Sequence, residues 1–177
     1  LGRIRDSGFD AIRTYGLPGK ELLDEAEKAG LLVLPTHAWA HGCDFLAEAS
    51  IFEKAKRDLA DWFGKQGDHP ALGALFVGNE IPSDIARWMG PAKVREKLDE
   101  LILFTKEHAP TLPVAYASFP TTEFREPLHS DFTAFNLFLE DPEALKNYLA
   151  RPHHIAGDRP VMVTEFGRDT QRNPESK

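Results

Sequence analysis

A chain of 177 residues with 42% hydrophobic residues can bury one domain-sized core, which excludes a disordered polypeptide. Its formal net charge of −7, from 28 acidic against 21 basic residues with no Lys/Arg-rich run, argues against a nucleic-acid binder. The lone Cys43 rules out an internal disulfide and a thiolate-rich metal site, and no apolar run approaches the roughly 20 residues of a membrane span.

The chain opens without Met at Leu1-Gly2-Arg3-Ile4-Arg5, which reads as the middle of a helix. The expectation is a piece of a longer polypeptide. No targeting signal is present, which leaves the compartment open with the cytoplasm slightly favoured. Gly8 ends this first helix, as Gly does just past many helix ends. Ala11-Ile12-Arg13-Thr14-Tyr15 reads as a strand and Gly16-Leu17-Pro18-Gly19 as its exit turn. Residues 21–29 place Leu22, Leu23, Ala26 and Ala29 on one helical face, with Gly30 as the stop. The buried strand Leu31-Leu32-Val33-Leu34 then runs into a loop holding His37, Trp39, His41 and Asp44.

Residues 51–65 carry Ile51, Phe52, Ala55, Leu59, Trp62 and Phe63 at helical spacing. Residues 72–77 form a continuous apolar run without alternation, the pattern of a central parallel strand buried on both faces. At its end the chemistry changes to Gly78-Asn79-Glu80. A short helix is expected over 83–89 and a long one over 91–107, with Pro91 at its first position. Strands follow at 114–117 and 133–139. Asp141-Pro142 is a cap and first-position pair for the next helix. The last strand is expected at 161–164, ending in Glu165-Phe166-Gly167.

Strands and helices alternate throughout with no hairpin signal, which means a parallel sheet with right-handed crossovers. Polar groups recur just past the strands: Arg13, His37, Asn79 with Glu80, Asn136 and Glu165. A doubly wound sheet gathers its ligand groups at one switch point, whereas a (β/α)8 TIM barrel draws them from many strand ends. The spread favours the barrel, as one partial domain over residues 1–177. Six strands are counted where a barrel needs eight, so the first strand and the last βα unit are expected outside this sequence. Two carboxylates, Glu80 and Glu165, end two different buried strands. Glycoside hydrolysis needs such a pair, one acid for the leaving oxygen and one nucleophile or base. A rim salt bridge is the plain alternative for Glu165. No Gly-x-Gly-x-x-Gly follows a strand and no P-loop is present, so a nucleotide-binding sheet finds no support.

Gly78-Asn79-Glu80 and Thr164-Glu165-Phe166-Gly167 resemble the catalytic strand ends of the retaining β-glycosidase clan of (β/α)8 barrels. Residues 11–18, followed by Leu22-Leu23-Asp24 and Gly30-Leu31-Leu32-Val33-Leu34, resemble family 2 glycoside hydrolases. The likeness is closer still to a bacterial group in which such a barrel precedes a family 2 glycosyltransferase domain. It is carried by Gly78-Asn79-Glu80-Ile81-Pro82 with Arg87-Trp88, by residues 119–124 and 135–140, and by Ala156-Gly157-Asp158-Arg159-Pro160.

The resemblance implies Glu80 as general acid/base and Glu165 as nucleophile, with a carbohydrate substrate, no cofactor, no metal and a linked glycosyltransferase as partner. It implies that Asn79 binds the sugar 2-hydroxyl, that Arg13 helps keep Glu165 ionised, and that Asn136 lies on the sixth strand of the complete barrel near the nucleophile. Phe138 departs from the clan, which usually has there a Tyr whose hydroxyl contacts the nucleophile. That substitution implies either slowed catalysis or a barrel that binds glycan without cleaving it. Among the softer candidates, Trp39 reads as a sugar-stacking platform or a packed loop Trp. His37 reads as a rim hydrogen-bonding group, Trp88 as flanking the leaving-group side, and Glu123 as solvated or sugar-binding. His37, His41 and Asp44 cluster in sequence, but loop spacing is poor ground for zinc.

Overall fold

The computed structural model describes residues 1–40 and 42–167. Six parallel strands alternate with helices: β1 (Ala11–Thr14), β2 (Leu32–Pro35), β3 (Leu75–Asn79), β4 (Val114–Ser118), β5 (Thr133–Leu137) and β6 (Val161–Phe166). The helices are α1 (Gly2–Asp6), α2 (Lys20–Lys28), α3 (Ala49–Gln66), α4 (Ser83–Met89), α5 (Pro91–His108) and α6 (Pro142–Ala156), and a 3-10 turn spans Pro120–Arg125.

β1 pairs with β2, and β3 to β6 form a four-stranded sheet in sequence order. Bridges from Val33 to Leu72 and from Thr36 to Phe76 join the two sheets. The strands therefore follow one another in space as they do in sequence. That singly wound order belongs to a barrel wall; a doubly wound sheet reverses its order at the switch point. The six strands make an arc, and among the described residues β1 and β6 are its unpaired edges. They are half-buried, while β4 and β5 are buried throughout.

The continuous apolar runs are explained by two cores, one on each side of the wall. Leu75, Val77, Val114 and Tyr116 face outward into a cluster with Phe52, Leu59, Trp62 and Phe63 of α3 and Val94, Leu98 and Ile102 of α5. Ala74, Phe76, Ala115, Ala117 and Ala134 face inward and pack with Phe132, Leu34 and Met162. Successive side chains of a strand point to opposite faces, so a strand between two cores needs apolar residues at every position. The helix signals hold at α6, where the Asp141 carboxylate accepts the Ala144 N–H at 2.7 Å.

Three strand ends lie two residues from the sequence expectation, and of these β5 stops short, at Leu137 rather than 139. β3 begins three residues later than expected and continues through Asn79, and β6 continues through Phe166. Both β3 and β6 carry a β-bulge near that end, which keeps the chain in the sheet while breaking the alternation that marks a strand.

Candidate active site

Each glutamate follows its bulge directly. Phe76 of β3 pairs with Ala115 and Asn79 with Ala117, so β3 carries one residue more than β4 over that stretch. Phe135 pairs with Val163 and Asn136 with Glu165, which leaves Thr164 as the extra residue of β6. A bulge bends its strand and re-aims the side chains beyond it. Here the two re-aimed residues are the carboxylates.

Glu80 adopts φ 42°, the one non-glycine residue in the left-handed region among those described. L-residues occupy that region at a cost, and they persist there when their surroundings hold them. Three contacts do so. The Glu80 N–H donates to Ala117 O at 3.0 Å. The Ile81 N–H donates to the Tyr116 hydroxyl at 2.8 Å, and Arg125 Nη2 donates to Ile81 O at 2.6 Å. Tyr116 and Arg125 are fully buried. Burial pushes the Tyr116 phenol up to about 12, so it stays neutral, and pulls the Arg125 guanidinium below its ordinary value.

Arg13 of β1 crosses the inner face of the arc. Its guanidinium lies over the rings of Phe76 at 4.6 Å and Tyr15 at 4.8 Å. Nε donates to Thr36 Oγ1 at 3.1 Å, Nη2 to Asn79 Oδ1 at 2.7 Å, and Nη1 to Glu165 Oε1 at 3.1 Å. Burial lowers the Arg13 pKa, against the raising influence of Tyr15, Glu165 and Glu80.

Asn136, on β5 and buried, joins the two carboxylates. Its Nδ2 donates to Glu80 Oε1 at 2.9 Å and to Glu165 Oε1 at 3.0 Å. Its Oδ1 accepts the Thr164 hydroxyl at 2.6 Å. Oδ1 also accepts from Arg13 Nη1 at 3.4 Å, which fixes which end of the amide faces the glutamates, since a guanidinium can only donate. Asn79 uses its oxygen to accept from Arg13 Nη2, so its own amide N–H groups are the ones left to offer a ligand.

Arg13, Asn79, Glu80, Asn136 and Glu165 thus meet at one point, drawn from β1, β3, β5 and β6. His37 and Trp39 do not. His37 is buried, its Nε2 lies 3.2 Å from Ala55 O of α3, and burial lowers its pKa, so a neutral imidazole donates to that carbonyl rather than lining the rim. Trp39 donates to Val77 O at 2.7 Å and packs edge-on against Phe45 and Phe52, which makes it the packed loop Trp rather than the platform. Trp88 is 74% exposed on α4. Glu123 is held by Arg151 and the Tyr148 hydroxyl, and its pKa is lowered chiefly by Arg151, so it is neither solvated nor free for a sugar. Asp44 caps the Leu46 and Ala47 N–H groups, and His41 lies outside the described residues.

One further group reaches the centre unforeseen. The Tyr15 hydroxyl donates to Glu165 Oε1 at 2.6 Å. The available signal was its place two residues past Arg13, at the exit of the same strand.

Among the described residues, Asp24, Glu27 and His69 bring ligand-type atoms close together. His69 Nδ1 accepts the Ala71 N–H at 3.2 Å, so Nε2 keeps its hydrogen and donates it to Asp24 at 3.1 Å. That hydrogen bond joins two of the three residues, His69 and Asp24. No helix among the described residues is long and apolar enough to cross a membrane.

No protein-family model and no curated protein matches this sequence. Solved structures do match in fold. An uncultured Clostridium sp. β-glucuronidase superposes with a TM-score of 0.77 at 19% identity, over 94% of this chain and 31% of its own. Bacteroides uniformis β-glucuronidase 2, covalently bound to cyclophellitol-6-carboxylate aziridine, gives 0.75 at 18% identity over 93% of this chain and 21% of its own. A Bacteroides fragilis protein named as a β-galactosidase gives 0.73 at 15% identity over 93% and 24%. The chain spans less than a third of each of these proteins. Its fold is similar to part of the TIM barrels of these proteins.

Proposed function

We propose that this chain carries the catalytic centre of a retaining β-glycosidase acting on a β-linked oligo- or polysaccharide. The observation that carries the reading is the shared Asn136 nitrogen. Two carboxylate oxygens bound to one nitrogen at 2.9 and 3.0 Å lie no more than about 6 Å apart, close enough for an acid and a nucleophile to flank one glycosidic bond.

Glu165 carries three donors on Oε1, from Arg13, Tyr15 and Asn136, so Oε2 is the oxygen that attacks. Oε2 forms a bond to the anomeric carbon as the glycosidic C–O bond breaks, and Glu80 gives its proton to the leaving oxygen. Glu80 then takes a proton from water. The water oxygen bonds to the anomeric carbon and the bond to Oε2 breaks, which returns both carboxyl groups to their starting states. The Asn79 amide donates to the sugar 2-hydroxyl region. A second sugar in place of water gives transglycosylation by the same steps.

The named neighbours act on glucuronides and galactosides, so glucurono, galacto and gluco forms are the sugars to compare first. The resemblance to the bacterial group in which such a barrel precedes a family 2 glycosyltransferase domain implies a linked glycosyltransferase as partner. A second reading, a glycan-guiding module without hydrolysis, is favoured by Phe138, exposed and lacking a hydroxyl. Glu165→Gln decides between them. On the glycosidase reading it abolishes turnover and leaves oligosaccharide binding by calorimetry nearly intact. Equal product formation by variant and parent would contradict that reading.

A further inference from the structure

Tyr15 is 58% exposed, yet its hydroxyl turns inward to the most crowded oxygen of the site. Its ring is fixed from below by the Arg13 guanidinium, and the chain leaves directly by a turn in which Thr14 Oγ1 donates to Gly16 O at 2.9 Å. Partial burial and the bond to Glu165 both push the phenol pKa up, which keeps its hydrogen in place to donate.

We propose that Tyr15 is a positioning residue that sets the balance between the two half-reactions through Oε1 of Glu165. The proposal rests on Glu165 being the nucleophile. In the free carboxylate, Oε1 shares the negative charge and the Tyr15 O–H bond to it is charge-assisted. Once Oε2 is bonded to the sugar, Oε1 is a neutral ester carbonyl oxygen and the same bond is weaker. Deglycosylation regenerates the charge on Oε1, so the hydroxyl stabilises the carboxylate as a leaving group. Without it, breakdown of the glycosyl-enzyme is the step that slows. Phe138, on the neighbouring strand end, brings no hydroxyl to the site, so Tyr15 is the phenol that reaches the nucleophile.

The test is Tyr15→Phe in the full chain, which keeps the ring and its stack on Arg13. Because the residue is exposed, the variant folds, and an unchanged melting temperature verifies it. With an aryl β-glycoside carrying a good leaving group, kcat falls roughly 10- to 100-fold, the worth of one hydrogen bond to a charged group. KM falls with it, a burst of aryl alcohol appears, and intact mass spectrometry finds the glycosyl adduct on Glu165 at steady state. A merely structural role moves neither the burst nor KM in step with kcat. Values of kcat and KM within twofold of the parent, with no burst, would overturn the proposal. If the unsubstituted chain turns over but labels elsewhere than Glu165, or shows neither turnover nor label, the nucleophile reading fails first and this proposal fails with it. The two failures are distinguishable because the second is visible before any substitution is made.

Discussion

Asn136 is the residue on which the centre depends most. It is a neutral amide, so it can donate to both carboxylates and accept from Thr164 at once. That Glu80, Glu165, Asn79 and Arg13 are candidates for one site was legible from residue type at strand ends, because a carboxylate, amide or guanidinium there has few reasons to interrupt a buried run. His37 and Trp39 show the limit of that logic. They follow a strand too, but their loop folds outward against α3, and no local pattern tells an inward loop from an outward one. Gly78 is a residue whose reason is visible only in three dimensions. A Cβ there would lie 3.2 and 3.3 Å from the Tyr116 ring, and that ring is buried and tied to the Ile81 N–H. Gly78→Ala is therefore expected to destabilise the fold by about 1–3 kcal/mol, an overpacking cost, and to lower kcat as Tyr116 loses its hold on the segment after Glu80. Chemical denaturation and steady-state kinetics check both; a neutral substitution would mean that the ring moves freely.

The elements explain how a regular barrel wall makes an irregular site. The bulges in β3 and β6 end at the two glutamates, and the sequence expectation stopped both strands short. An extra residue in a strand leaves no mark in composition or periodicity, so the bulges had to be seen. The strands themselves, the Pro91 helix start and the Asp141 cap were legible because each follows from a local physical rule. The connection from β4 to β5 holds a second irregularity. Glu126 is buried, accepts the Thr133 hydroxyl at 2.8 Å and lies 3.5 Å from Arg159, yet burial dominates and raises its pKa to about 7. A carboxyl whose folded pKa lies above its unfolded one binds more protons when folded. Its contribution to stability is full below the unfolded value and is lost as pH rises through about 7. Glu126→Gln cannot ionise. Its unfolding free energy, relative to the parent, should improve by about 3 kcal/mol between pH 4 and pH 8. A pH-independent difference between the two proteins would contradict this.

At the scale of the molecule, sequential strand order turns one chain into an arc whose C-terminal ends face a common centre. Arg13 from the first strand reaches Glu165 on the last across that centre, so the site depends on curvature rather than on any one loop. Partly exposed edge strands and an inner core of Ala, Phe, Leu and Met fit the arc of a barrel wall. The fold was legible because alternating elements without hairpins leave few topologies. A ligand was not, because no periodicity encodes which groups gather at the rim.

The most direct test of the account is covalent capture. The full chain is incubated with 2-deoxy-2-fluoro glycosides bearing good leaving groups, in gluco, galacto and glucurono forms, and the intact mass and labelled peptide are read. A single fluoroglycosyl adduct on Glu165, lost in Glu165→Gln, is the predicted result. An adduct on Glu80, or measurable oligosaccharide binding with no adduct from any of the three, would contradict the double-displacement centre built on Glu165.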